Sequence, residues 1–318
     1  MNNVFIRIIG NMKRNIYSKL WVIFFVLMGA ACTNQVEDAI PVSGQPIEFS
    51  VQSDWKEIPN TRSDVGKAQF EKGDPIQIFG FHKSSSGDEV KFMYRANEPK
   101  KRGQIVTYDG KSWNYSPKRF WPKEGTLDFY ASYPEYSVLN DEKDHKMTYE
   151  QPDFNPLGLD LLWGVSTNHD CATDRNKNVE IWMVHALARV NIYFNSSLGE
   201  IRKVIVSAYR TGYFLGTGDG GIPVWKVDDK TDIKEANFFP YQEQTKIGVV
   251  TVFILPDKIT GLRLIFDDDK EIDASAEIQK KTFLAGKVYN LTISKSNGVR
   301  KKNTNSRSIA MSVRCVSE

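Results

Sequence analysis

The sequence predicts an all-β protein, built as two tandem antiparallel β-sandwiches behind an export signal. Three observations predict it. Short segments of alternating apolar and polar residues recur along most of the chain, turn residues punctuate them, and hardly any window sustains a helical period. A half-buried sheet has one apolar face, and a second sheet is the simplest way to cover it.

The N-terminus sets the compartment. Arg7, Lys13, Arg14 and Lys19 form a basic stretch, the uncharged run from Leu20 to Met28 follows, and Gly29-Ala30-Ala31 leads to Cys32. Basic, then apolar, then small residues describe a secretory signal peptide over residues 1–31. The apolar run falls short of the roughly 20 residues that span a bilayer core. Translation starts at Met1 or at Met12, and Met12-Lys13-Arg14 makes the tidier n-region. Small residues before Cys32 resemble a bacterial lipobox, although Gly29 stands where Leu is usual. Lipidation of Cys32 is the expectation; the alternative is ordinary cleavage near Ala31, releasing a soluble protein. Cys171 and Cys315 are the only other cysteines, and nothing in their spacing says whether they pair.

The strands follow in order. Ile47, Phe49 and Val51 alternate in an early strand. Ile76 to Phe81 follows the turn Lys72-Gly73-Asp74-Pro75. Asp109-Gly110 separates two alternating runs, Gln104–Tyr108 and Lys111–Tyr115, and predicts a hairpin with a type I′ turn. Leu127 to Tyr133 is stopped by Pro134, and Leu139 to Pro156 reads as polar and irregular. Val179 to Phe194 is one long run with a turn near His185–Ala188. Val204–Val206, Val249–Leu255, Leu262–Phe266 and Val288–Ile293 complete the pattern. Ser294 to Ser308 is a polar, basic linker, and Ile309, Met311, Val313 and Cys315 alternate after it. The expected organisation is a signal at 1–31, a pro-segment with the first strand at 32–62, sandwiches at 63–168 and 178–293, and a tail at 294–318. The break between the sandwiches is expected between Gly164 and Asn178.

Composition and motifs exclude several function classes. The formal charge of +3 is nearly balanced and much of the excess lies in the signal and around Arg300–Lys302, so nucleic acid is not a partner. His185 has no carboxylate or nucleophile at a recognisable spacing and reads as structural. His82, His145 and His169 with Cys171 lack metal-ligand spacing, so no metal or other cofactor is expected. Gly216 to Gly221 lacks the Lys-Ser/Thr pair of a phosphate loop and reads as a turn. Asp267-Asp268-Asp269 lacks the glycine of a calcium loop and reads as a hairpin tip. Phe120, Trp121, Tyr130, Tyr133 and Trp163 offer either a sugar-stacking surface or a sandwich core, and core is the better reading. No catalytic residue is expected.

Taken in order, several segments resemble the fimbrillin family, the Mfa-like pilins of type V pili. Thr61-Arg62-Ser63 is similar to its Thr-Arg-Ala processing point, and Phe70 to Phe79 to its F-x-x-G-D-x-I-x-I-F strand entry. Phe120-Trp121-Pro122 with Leu127 to Pro134 resembles YWP…DFYAYYP, and Asp160 to Gly164 stands where DLM-x-A is usual. His185 to Val190 matches H-x-L-A-R-V, and Phe283 to Thr292 resembles PGK-x-Y-x-L-T. The resemblance covers Cys32 to about Ile293. Ser63 and Ala285 depart from it, and the tail from Ser294 has no counterpart.

The resemblance implies Greek-key, transthyretin-like sandwiches and a pilus subunit at the cell outer membrane. It implies other fimbrillin subunits as partners through donor-strand exchange, the outer membrane as partner through a lipid anchor, and a host or bacterial surface ligand. Cleavage after Arg62 would remove the strand of Ile47, Phe49 and Val51, and a strand from another subunit would fill the gap. The candidate donor is Ile309, Met311, Val313 and Cys315; the alternatives are a disordered tail or a strand closing its own domain. The rival function is a stand-alone surface lipoprotein that binds glycan or host matrix.

Overall fold

The computed structural model describes residues 40–53, 69–95, 103–135, 139–141, 146–150, 160–195, 198–217, 221–227, 231–240, 248–295 and 311–317. In chain order the first strands are β1 (Val42–Pro46), β2 (Phe49–Ser53), β3 (Pro75–Lys83), β4 (Glu89–Met93), β5 (Gln104–Tyr108), β6 (Trp113–Asn114), β7 (Phe120–Pro122) and β8 (Thr126–Tyr133). They are followed by β9 (Leu139–Asp141), β10 (Lys146–Glu150), β11 (Leu162–Asp170), β12 (Val179–His185), β13 (Ala188–Phe194), β14 (Ile201–Tyr209), β15 (Thr211–Thr217) and β16 (Pro223–Lys226). Then come β17 (Ile233–Phe238), β18 (Val249–Ile254), β19 (Ile259–Phe266), β20 (Glu271–Asp273), the helical turn α1 (Ser275–Ile278), β21 (Val288–Lys295) and β22 (Met311–Ser317). The chain is all-β, as its alternation predicts.

An eight-stranded sheet runs in the order β2-β12-β11-β8-β3-β5-β6, with β4 also on β3. Alternation gives each of its faces a separate core. Phe49, Val51, Ile78, Phe129, Ala131 and Ile181 point to one side and are buried with Trp121. The rings of Phe49 and Trp121 lie 5.4 and 6.5 Å from that of Phe129. The sheet curls around this core until its two ends meet: Tyr115, just after β6, donates its hydroxyl to the Ile47 carbonyl before β2 at 2.8 Å. Gly125 makes the turn into β8 at φ +86°, where any Cβ would collide with the Lys83 carbonyl oxygen.

The opposite face carries Phe79, Phe81 and Trp163, which pack on Met147, Tyr149 and Phe214 from the sheet β16-β15-β10-β9. Trp163 and Phe214 meet edge to face at 4.9 Å. Two further four-stranded sheets, β18-β13-β21-β22 and β17-β14-β19-β20, enclose the largest core as a sandwich. All of β18 is buried because it serves two cores. Val250, Val252 and Ile254 face the sandwich interior, whereas Phe253 joins the cluster over Trp163. A run apolar on both faces is what such a strand requires.

Three local expectations change. Residues 139–150, read as irregular, hold β9 and β10; Met147 and Tyr149 are buried, and β10 pairs with β15. That strand is short and polar on its other side, so its pattern is weak in isolation. The run Val179–Phe194 is two strands. Val179–His185 pairs with β11 and, in parallel, with β2, and the chain leaves this sheet only at Ala186–Leu187. The Asp109-Gly110 hairpin forms, but β5 and β6 pair through Tyr108↔Trp113, leaving a four-residue loop. Positive φ occurs there only at Gly110, so the turn is not type I′. The Asp109 carboxylate stabilises it by accepting the Lys111 and Ser112 amides at 2.8 Å each.

Candidate assembly interface

The segment before Arg62 is built into the fold at its edge. Ile47, Phe49 and Val51 are buried, at 0%, 4% and 8% exposure. β2 lies at the end of its sheet, and its one ladder is the parallel pairing Phe49↔Val179 to Ser53↔Met183. Upstream, β1 pairs irregularly with β7, Ile47 donates its amide to Arg119 O at 2.9 Å, and Lys118 reaches Glu48 at 2.9 Å. The segment thus supplies three core side chains through a single continuous ladder. Arg62 and Cys32 lie outside the described residues.

The tail forms a second edge. β22 pairs antiparallel with β21 along Lys295↔Met311, Ile293↔Val313 and Leu291↔Cys315. In this arrangement Met311–Ser317 closes its own sheet, one of the alternatives the alternation left open; Ile309 lies outside the described residues. Residues 296–310 connect two strands that are direct neighbours, a join that hairpins make with about 2–5 residues. Cys171 is buried far along the chain in the loop after β11, and burial pushes its thiol up to about 12.

Of the aromatic residues in doubt, Trp121 and Trp163 are 0% and 1% exposed, and Tyr130 stacks on Trp163 at 5.9 Å. These are core residues; Phe120 stays partly exposed. Among the described residues, Trp182 on β12 is an exposed tryptophan that the sequence did not single out. Its neighbours Glu180 and Gln52 are polar, and a single aromatic in an alternating strand carries no signal of its own.

The structure also gives His185 a partner. Its Nδ1 hydrogen-bonds to Asp160 Oδ2, and Asp160 is buried. Ala186 N donates to Leu161 O at 2.8 Å beside them, and Trp225 Nε1 donates to Ala186 O at 2.6 Å. Burial lowers the Arg189 guanidinium from its ordinary value, and the nearby Asp160 charge opposes that shift. Asp160 and His185 are too far apart in sequence for spacing to reveal the pair. It pins the crossover from the first sheet to the second, next to Leu161, Ala186 and Leu187 of the core cluster. His82 and His169 are likewise committed, to Glu124 O and Ser166 Oγ. Among the described residues, no group of three or more His, Cys, Asp or Glu could hold a metal ion.

With this geometry in view, comparison with known proteins is informative. A family model described as fimbrillin-like matches residues 61–310. The chain belongs to the fimbrillin-like family. A proposed cell adhesion protein from Bacteroides uniformis is similar in structure, with a TM-score of 0.56 at 16% identity, over 87% of this chain and 98% of that one. A second, from Bacteroides ovatus, gives a TM-score of 0.55 at 14% identity, over 85% and 95% of the two chains. These likenesses bear on the fold. No curated protein matches the chain. For a fimbrillin-like protein, a surface appendage or adhesion is the setting in which the two edges acquire meaning.

Proposed function

We propose that this fimbrillin-like chain is a structural and adhesive subunit of a bacterial surface pilus, with no catalytic role. It is exported as a lipoprotein on Cys32, cut after Arg62, and assembled by strand exchange between successive subunits. The observation that carries this reading is β2. It supplies buried Phe49 and Val51, lies N-terminal to Arg62, and is held by one ladder at a sheet end. Its loss leaves an apolar groove and an unpaired edge on β12, which an added strand satisfies. The tail supports the reading from the other side. Fifteen residues at 3.3–3.6 Å each reach roughly 50 Å, so β22 can serve another molecule without moving its own sandwich.

The test is the N-terminal sequence of surface protein from cells expressing wild type, Arg62→Ala, Cys32→Ala or a deletion of residues 309–318. Wild type should begin at Ser63 and run as a ladder on non-boiled gels. Arg62→Ala should remain a monomer with its full N-terminus. Cys32→Ala should lose lipid labelling and leave the membrane fraction. The tail deletion should be processed yet fail to donate, and should still accept a strand from wild type. Ladders from Arg62→Ala would defeat the cleavage step.

A further inference from the structure

Beside β2, on the edge away from β12, the seam between the two ends of the first sheet opens into a groove of about 420 Å³. Its polar wall is Gln52, Ser53, Gln69, Lys111, Ser112 and Asn178, and the half-buried Phe70 and Tyr108 supply aromatic surface within it over the buried Trp113. We propose that this groove, together with the exposed Trp182, is a binding site for a neutral oligosaccharide. The inference does not depend on processing at Arg62. It concerns the uncut chain, in which β2 forms one wall.

The chemistry of the lining selects the ligand class. Amides and hydroxyls dominate, one lysine is present, and no carboxylate is among the described lining residues. Neutral donors and acceptors around aromatic rings match a sugar, which presents hydroxyls at its rim and a C–H face to a ring. A phosphate or sulfate would call for more than one cation. The volume lies in the range of small-molecule sites.

One end of the seam is closed. Tyr115 closes the seam at one end, its hydroxyl on Ile47 O at 2.8 Å and its ring 5.7 Å from that of Phe49. A strand added there would have to displace that hydroxyl contact.

Two features prepare the site. Asp109 fixes the Lys111–Ser112 wall by accepting both backbone amides and the Ser112 and Asn114 side chains. The amides of Ser112 and Lys111 hold its carboxyl down at about 2, so the loop keeps this form across the physiological range. A wall set beforehand loses little entropy on binding. Trp182 is the register partner of Gln52, so the two side chains leave the same face about 5 Å apart. At 54% exposure, its indole offers a flat platform one strand from the groove.

The test uses residues 33–318 with Arg62→Ala to keep β2 in place. The protein is applied to a printed array of β-glucans, mannans, N-acetylglucosamine oligomers and sulfated glycosaminoglycans, and hits are titrated by calorimetry. Binding should fall on one neutral class and change less than about twofold between roughly 0.1 and 1 M salt. Trp182→Ala and Gln52→Ala should each weaken it by about tenfold with unchanged melting, since both side chains are exposed. Four results would overturn the site: no binding, binding confined to sulfated chains, full affinity in both variants, or strong salt dependence.

Discussion

Asp160 illustrates how one side chain can hold a crossover. Its carboxylate accepts from His185 at the point where the chain leaves the first sheet, and burial removes the water that would otherwise compensate a lost partner. Asp160→Ala should therefore cost about 2–3 kcal/mol in urea unfolding. Lys177→Ala, which removes an exposed pair with Asp174 at 2.8 Å, should cost far less, since solvent screens that pair. Equal costs would mean that the buried pair is only a surface contact. Residue roles of this kind were partly legible. The core placement of Trp121 and Trp163 was legible. The partner of His185 was not, because only the fold brings Asp160 to it. Trp182 escaped notice because exposure depends on which strands cover a face.

At the scale of elements, β2 depends on the groups that fasten its entry. Tyr115→Phe removes the hydroxyl bonded to Ile47 O and should cost about 1–2 kcal/mol. Hydrogen exchange at Phe49–Ser53 should quicken more than in β13, whose ladders lie on both sides. Uniform quickening would place Tyr115 in the general core rather than at the strand. Strands with clean alternation, such as Leu127–Tyr133 and Val288–Ile293, could be read directly. β10 could not, since five residues beside a polar stretch carry little periodic signal. The division of Val179–Phe194 was hidden for the opposite reason: both pieces are apolar, and nothing but Ala186–Leu187 marks the change of sheet.

For the whole molecule, the sheets interlock. β12 belongs to the first sheet while the chain beyond it builds the sandwich, and β10 from the earlier part pairs with β15 from the later. Residues 33–177 and 178–318 made separately should accordingly lack dispersed amide resonances, and co-expression should restore them. Two independently folded pieces would refute the interlock. The parallel pairing of β2 with β12 has a consequence in time. Val51 meets Ile181 only after the intervening chain has emerged, and Met147 waits in the same way, over a shorter separation, for Phe214. Loop closure over such separations is slow. The earliest apolar strand therefore stays unpaired until residue 181 has appeared, and cover by a chaperone is most needed before that point.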